Sequence, residues 1–255
     1  MMTIFRCQDS FEGILSGVYD AWSSRLGHEN VKLEVEAEET PELFAEYIEV
    51  PPDEEKAKKV IISVQNKISK EAYDMIFKAS LSYEKERPDR IYRFLVDGFR
   101  YGRKITQMLK EDSVFHIFAL DRNVSNEAHL LLGFVRFSQT GDGILVSKIT
   151  PKNNVLPLIA PHFADRLSGE DWMIYDVKRK RAALHQKNKG WILADLNAEQ
   201  GNMALAMADE KDMFQELWKV FFQTIAIKER INPRCQRTHL PIRYRGNMLE
   251  FPGNN

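Results

Sequence analysis

Cysteine is nearly missing from these 255 residues: Cys7 and Cys235 stand far apart, with no Cys-x-x-Cys pair. That excludes a disulfide framework and a thiolate metal site, and a reducing cytoplasm is the expected setting. Long apolar runs are missing too. The longest stretch without a charged residue, 153–164, has 12 residues and two prolines. A membrane span needs about 20 apolar residues, so no membrane association is expected. Arg6, Asp9 and Glu12 stand where a secretory leader would carry its apolar run. Phosphate loops are absent: Gly98 and Gly102 share a helical stripe, and Gly141-Asp142-Gly143 reads as a turn, whereas such loops join a strand to a helix. There is no serine nucleophile elbow. The six histidines are spread singly, and Glu127 and His129, two apart, point to different faces of a helix. No metal and no cofactor is expected.

What is present is ordinary globular composition, 44% apolar and 29% charged, long enough for one large core. The formal charge of −1 hides a segregation. Residues 1–60 hold 14 acids and 6 bases, whereas 61–190 hold 15 acids and 22 bases. Residues 191–227 are acidic again, with 6 acids and 2 bases, and the last 28 residues carry 2 acids and 6 bases. Local fields steer partners, so near-neutrality does not exclude a polyanion.

A short strand at 3–6 is followed by a helix whose start resembles a capping box on Asp9 and Glu12. Phe11, Ile14, Leu15, Val18 and Trp22 give it one apolar face. Val31, Leu33 and Val35 alternate as in a strand, and helical stripes recur over 57–68, 73–81 and 91–109, the last opened by Pro88. A helical pattern runs over 113–132. Residues 134–138 and 144–149 flank a hairpin signal, 153–167 reads as helix, and 172–177, 181–186 and 191–193 read as strands. Phe214, Leu217, Trp218, Phe221 and Ile225 mark a last amphipathic helix. The pattern predicts an α+β fold: a helical middle region plus an antiparallel sheet with helices on one face. One compact unit over 1–255 is expected, divisible into 1–112 and 113–227, with a basic tail at 228–255.

The tail interleaves Arg230, Arg234, Arg237, His239, Arg243 and Arg245 with Tyr244. Guanidinium forks for phosphates and a ring for stacking are what a nucleic-acid groove uses. The alternative is an extended strap whose arginines pair with the acidic N-terminal third. Lys178, Arg179, Lys180 and Arg181 form a four-base run at a strand-to-strand turn, able to clamp phosphates or to be a solvated hairpin tip. His162, in the segment 156–165 that holds two prolines and an acid and where a loop-like backbone could present it, could act as a general acid or base, or be a partly buried histidine bonded to backbone. Tyr175 and Asp176 near Arg179 admit a catalytic reading or a strand-end ion pair.

Asp9-Ser10-Phe11-Glu12-Gly13, Phe134-Val135-Arg136-Phe137, Val155-Leu156-Pro157-Leu158-Ile159-Ala160-Pro161-His162-Phe163, Asn232-Pro233-Arg234 and Pro241-Ile242-Arg243-Tyr244 together carry a resemblance. The chain resembles, nearly end to end, the bacterial domain-of-unknown-function family DUF4130, labelled a probable DNA metabolism protein. The resemblance implies a gene neighbour of the radical S-adenosylmethionine (radical SAM) type and a role in DNA repair. It implies no reaction and no catalytic residue. Some members carry a uracil-DNA glycosylase-like domain, which is expected to be absent here, and the three clustered cysteines of a radical-type iron–sulfur cluster are not present. The leading expectation is an accessory protein that binds DNA and works with a radical SAM partner. The alternatives are an enzyme acting on a nucleotide or DNA lesion and a protein–protein adaptor without DNA contact.

Overall fold

The computed structural model describes residues 1–35, 44–208, 217, 218, 221, 224 and 232–248. The chain divides into two compact units, Met1–Asn126 and Glu127–Asn255. With 55% helix and 17% strand it is α+β, as the patterning predicts.

In the first unit β1 (Thr3–Cys7), β2 (Val31–Glu34) and β3 (Glu46–Val50) form a parallel sheet in the order β2-β1-β3. Parallel neighbours need a crossover, and α1 (Phe11–Ser23) supplies the one from β1 to β2. Its N-cap is Ser10, whose hydroxyl accepts from the Gly13 N–H. The cap is therefore one residue later than the Asp9 expected, because the Asp9 carboxylate is engaged by Arg87. Gly17 lets α1 lie against β1: a Cβ there would fall 2.1 Å from Cys7 Sγ. Ile14, Leu15 and Val18 are buried on this face, each contributing about 1.5–3 kcal/mol.

α2 (Glu54–Lys67), α3 (Lys70–Ser80) and α4 (Arg87–Tyr101) follow the predicted stripes. Asp53 and Ser69 cap the first two by accepting from the N–H groups of Lys56 and Ala72. A close approach on α4 is at Gly98, where a Cβ would lie 2.7 Å from Ile68 Cδ1. Gly102 is not on that helix face; it ends the helix at φ 62°, and the chain tightens into a 3-10 turn over Gly102–Gln107.

The boundary between the units falls within α5 (Asp112–Phe134). The second unit holds a sheet in the order β4-β5-β6-β7-β8. Its strands are β4 (Ser138–Gln139), β5 (Leu145–Ile149), β6 (Trp172–Asp176), β7 (Arg181–His185) and β8 (Trp191–Asp195). The strand expected over 134–138 shrinks to two residues because α5 continues through Phe134. Two details differ from expectation. β5 and β6 pair in parallel, with α6 (Leu156–Arg166) as their crossover, while the other pairs are antiparallel. Helices also cover both faces. Trp172 and Ile174 pack with Ile159 and Phe163 of α6, whereas the alternate residues Tyr175 and Ala182 pack with Ala204 of α7 (Ala198–Ala208).

The described part of the tail is helical rather than extended, as α8 (Pro233–His239) and a single turn, α9 (Ile242–Arg245). Of the expected helix over 214–225, Leu217, Trp218, Phe221 and Thr224 are described; the rest lies outside the described residues. Among the described residues no helix is long and apolar enough to cross a membrane.

Candidate functional site

The carboxyl ends of parallel strands leave their following loops side by side, the usual place for ligands in such sheets. Here β5 runs into the loop 150–155 that opens α6, and β6 runs into the turn 177–180, where Val177 N–H donates to Ile149 O at 3.1 Å. Two buried carboxylates brace that loop.

Glu127, 2% exposed, reaches it from α5. Its Oε1 accepts from Lys152 N–H at 3.1 Å and Tyr244 O–H at 2.8 Å, with Arg243 Nη2 at 3.4 Å. Its Oε2 accepts from the backbone N–H and the Nδ2 of Asn153, both at 2.7 Å. Burial pushes the Tyr244 hydroxyl up to about 12, opposed by the Arg243 bond and reinforced by Glu127. From the other side, Asp176 Oδ1 accepts from the Lys178 and Arg179 N–H groups at 3.1 and 3.3 Å, and Oδ2 pairs with Arg179 Nη1 at 2.9 Å. Arg179 also donates to the carbonyls of Pro151 and Lys152. Burial raises the Asp176 carboxyl above its ordinary range, and the Arg179 bond works against it. Asn247 Nδ2 completes the frame on Thr150 Oγ1 at 3.0 Å.

One loop thus gathers Lys152, the turn bases Lys178, Arg179 and Lys180, and Arg243, five cations against two buried carboxylates. Lys152, Lys178, Lys180 and Arg243 are exposed. The Arg243 side chain is 43% exposed; among the described residues its guanidinium bonds through Nη2, at 2.6 Å from Tyr244 Oη and 3.4 Å from Glu127, and lies 4.7 Å from the Tyr244 ring centroid. A cavity of about 110 Å³ lined by Arg136, Ser138, Lys148 and Asn247 lies beside the same frame, too small for a nucleotide and cationic in its lining. Such an arrangement can hold phosphate oxygens.

The expected site residues are placed as follows. Arg181 leaves the turn and pairs with Asp195 through Nε at 2.6 Å and Nη2 at 3.0 Å, which holds the Asp195 carboxyl below its ordinary range. Tyr244, 3% exposed and tilted against Phe134 with ring centroids 5.5 Å apart, cannot offer its ring to a base. Arg245 is buried as well, so neither residue belongs to the surface expected of the tail. Arg234, Arg237 and His239 are exposed on α8, and Arg230 lies outside the described residues. His162 is exposed on α6, Tyr175 packs toward Gly201 of α7, and Asp176, next to it on the strand, points to the opposite face. Those three are not brought to one place. Of the tail arginines, Arg243 pairs with Glu127 and Arg245 donates to the Leu240 carbonyl.

With this geometry in hand, the comparison with known families is specific: the model described as Domain of unknown function (DUF4130) matches residues 85–250. The chain belongs to this family. The DUF4130 match contains both braces, the loop and the described tail, and it leaves out Asp9-Ser10-Phe11-Glu12-Gly13 and the parallel sheet of the first unit. No curated protein and no solved structure matches the chain.

Glu127 and Asn153 were passed over in the sequence. Glu127 drew notice only beside His129, and its donors lie 25 to 117 residues downstream. A usable signal was its placement on the apolar stripe of α5 with Val124, Ala128 and Leu131, where a carboxylate needs partners.

Proposed function

We propose that this DUF4130 chain is an accessory protein of DNA metabolism that grips the phosphate backbone with the cations around loop 150–155 and works with a separate radical SAM protein. The observation that carries the reading is the exposed Arg243 side chain with exposed Lys152 on the braced loop and exposed Lys178 and Lys180 on the turn that Arg179 ties to it. With the Tyr244 ring buried, the contact is to phosphates and not by stacking, so binding is insensitive to base sequence and sensitive to salt. The radical partner is supported by the family resemblance.

Fluorescence anisotropy with a labelled duplex and a labelled single strand across a salt series tests this. The logarithm of the binding constant is expected to fall linearly with the logarithm of salt concentration. Replacing Lys152, Lys178 and Lys180 together by Ala should reduce the slope by about 2–3 and weaken binding roughly uniformly across sequences. A protein that binds neither strand form, or a triple variant with an unchanged slope, would overturn the reading. Co-purification with a radical SAM protein of the kind the resemblance implies tests the partner separately.

A further inference from the structure

Trp22 belongs to the apolar stripe of α1, yet it is 38% exposed while Ile14, Leu15 and Val18 on the same helix are buried. Its ring is held all the same. Phe99 of α4 meets it edge-on with centroids 5.2 Å apart, and the His28 imidazole lies 4.6 Å away. An open aromatic surface fixed in this way is ordered before any ligand arrives. Trp22 lines a cleft of about 360 Å³ between α1, α2 and α4, in which Val18 and Val60 are buried apolar lining. Small-molecule sites have this volume and this mixture of apolar wall and few polar groups.

Tyr19 also lines the cleft, one turn before Trp22 on α1, and side chains three apart on a helix are neighbours. Exposed Lys59 of α2 reaches across, its Nζ 5.6 Å from the Tyr19 ring centroid. Ring surface and a cation therefore stand side by side. Lys67, the other cation of the lining, is eight residues on and about 12 Å further along α2. Neither lysine has a carboxylate partner among the described residues, and the lining contains no acid. Asp20, beside Tyr19 in the chain, is engaged by Lys56 at 2.8 Å. The Ser63 hydroxyl donates to the Lys59 carbonyl at 2.7 Å, so its proton is not offered to a ligand. A ligand for this lining brings a flat ring for Tyr19 and Trp22 and one negative charge for Lys59. Ring-to-ring contacts add to what burial of apolar area gives, an advantage that an aliphatic chain lacks.

We propose that this cleft binds a small aromatic carboxylate, its ring against Tyr19 and Trp22 and its charge on the Lys59 ammonium. The site is in the first unit and stands independently of DNA binding by the second.

Saturation-transfer NMR on the full chain decides it, with indoleacetate as probe, tryptophol as the uncharged ring and octanoate as the ringless anion. Expected are saturable indoleacetate binding, binding of tryptophol and of octanoate weaker by about threefold or more, a loss of about threefold in Lys59→Gln and a loss of about fivefold in Trp22→Leu. Should Trp22→Leu fail to fold, judged by circular dichroism, the three probes and Lys59→Gln, a change on the exposed side of α2, carry the test. No indoleacetate signal at concentrations on the order of 10 mM, tryptophol or octanoate binding as tightly as indoleacetate, or undiminished binding by Lys59→Gln or by folded Trp22→Leu would overturn the proposal.

Discussion

Glu127 of the second unit and Glu34 of the first are equally hidden from water, 2% and 5% exposed, yet their surroundings are opposite. Glu127 meets two backbone N–H groups, an amide, a phenol and a guanidinium, so both oxygens are used. Glu34 has Arg6 on one oxygen and nothing on the other. A saturated buried carboxylate is a structural brace, because its two oxygens hold both backbone N–H groups and side chains from separate segments in place. An unsaturated one retains capacity for something else. That difference separates the two carboxylates: Glu127 ties loop 150–155 to α5 and to the tail, whereas Glu34 is tied to the rest of its sheet through Arg6.

The sharpest way to break the comparison is to make the same chemical change in both places. Gln at 127 turns one acceptor into a donor facing donors and orphans a buried N–H, at a cost of about 2 kcal/mol. Gln at 34 can keep its oxygen on Arg6 and put its amide nitrogen where the buried oxygen already lacks a partner, exchanging one unsatisfied group for another at a cost within about 1 kcal/mol. Native-state hydrogen exchange reads the two units separately: Glu127→Gln should lower protection in β5 to β7, while Glu34→Gln leaves β1 to β3 nearly unchanged. Equal losses would dissolve the distinction.

Much of the fold was legible because its signals are local. Ile14, Leu15 and Val18 recur at helical spacing, Trp172 to Asp176 reads as strand from its composition, and Gly98 marks a close approach that Ile68 fills. Pairing was harder. Nothing within 145–149 or 172–176 says that these strands run parallel, since that follows from α6 crossing over one face. α7 was missed because Gly201 and Asn202 weaken a helix that is held by its contact with Tyr175 and Ala182. The four-base run illustrates the limit for the site. It reads as uniform charge, but the strand alternation and the turn send Arg179 to Asp176 and Arg181 to Asp195, leaving Lys178 and Lys180 on the surface. The Glu127 brace was illegible because its partners arrive from 25 to 117 residues away.

Asp176 tests whether saturation by itself means stabilisation. Its carboxyl is raised, chiefly by burial, so the folded state holds the proton more tightly than the unfolded chain does. Stability from this group is therefore fully present below its ordinary value of 3.8 and declines as pH rises through the higher folded value. Asp176→Asn, neutral at every pH, should match the wild type below 3.8 and exceed it at neutrality, by less than Glu127→Gln loses. Urea unfolding midpoints at the two ends of that window measure it. A variant less stable than wild type at neutral pH would mean that the Arg179 pair outweighs the burial cost.

Asp195 is the surface control and the smallest effect. Its bidentate Arg181 leaves it 72% exposed, and water screens what the fork geometry provides. Because the Asp195 carboxyl is lowered, its contribution has the opposite sign to that of Asp176: present above the ordinary value of 3.8 and lost as pH falls through the lower folded value. Asp195→Asn should cost at most about 0.5 kcal/mol at neutral pH, and added salt should shrink even that. The pair also fixes the edge strand β8 against β7, where Arg181 stands opposite Asp195. A loss as large as that at Glu127 would show that the edge depends on this ion pair and that exposure, not saturation, is the wrong axis on which to sort these carboxylates.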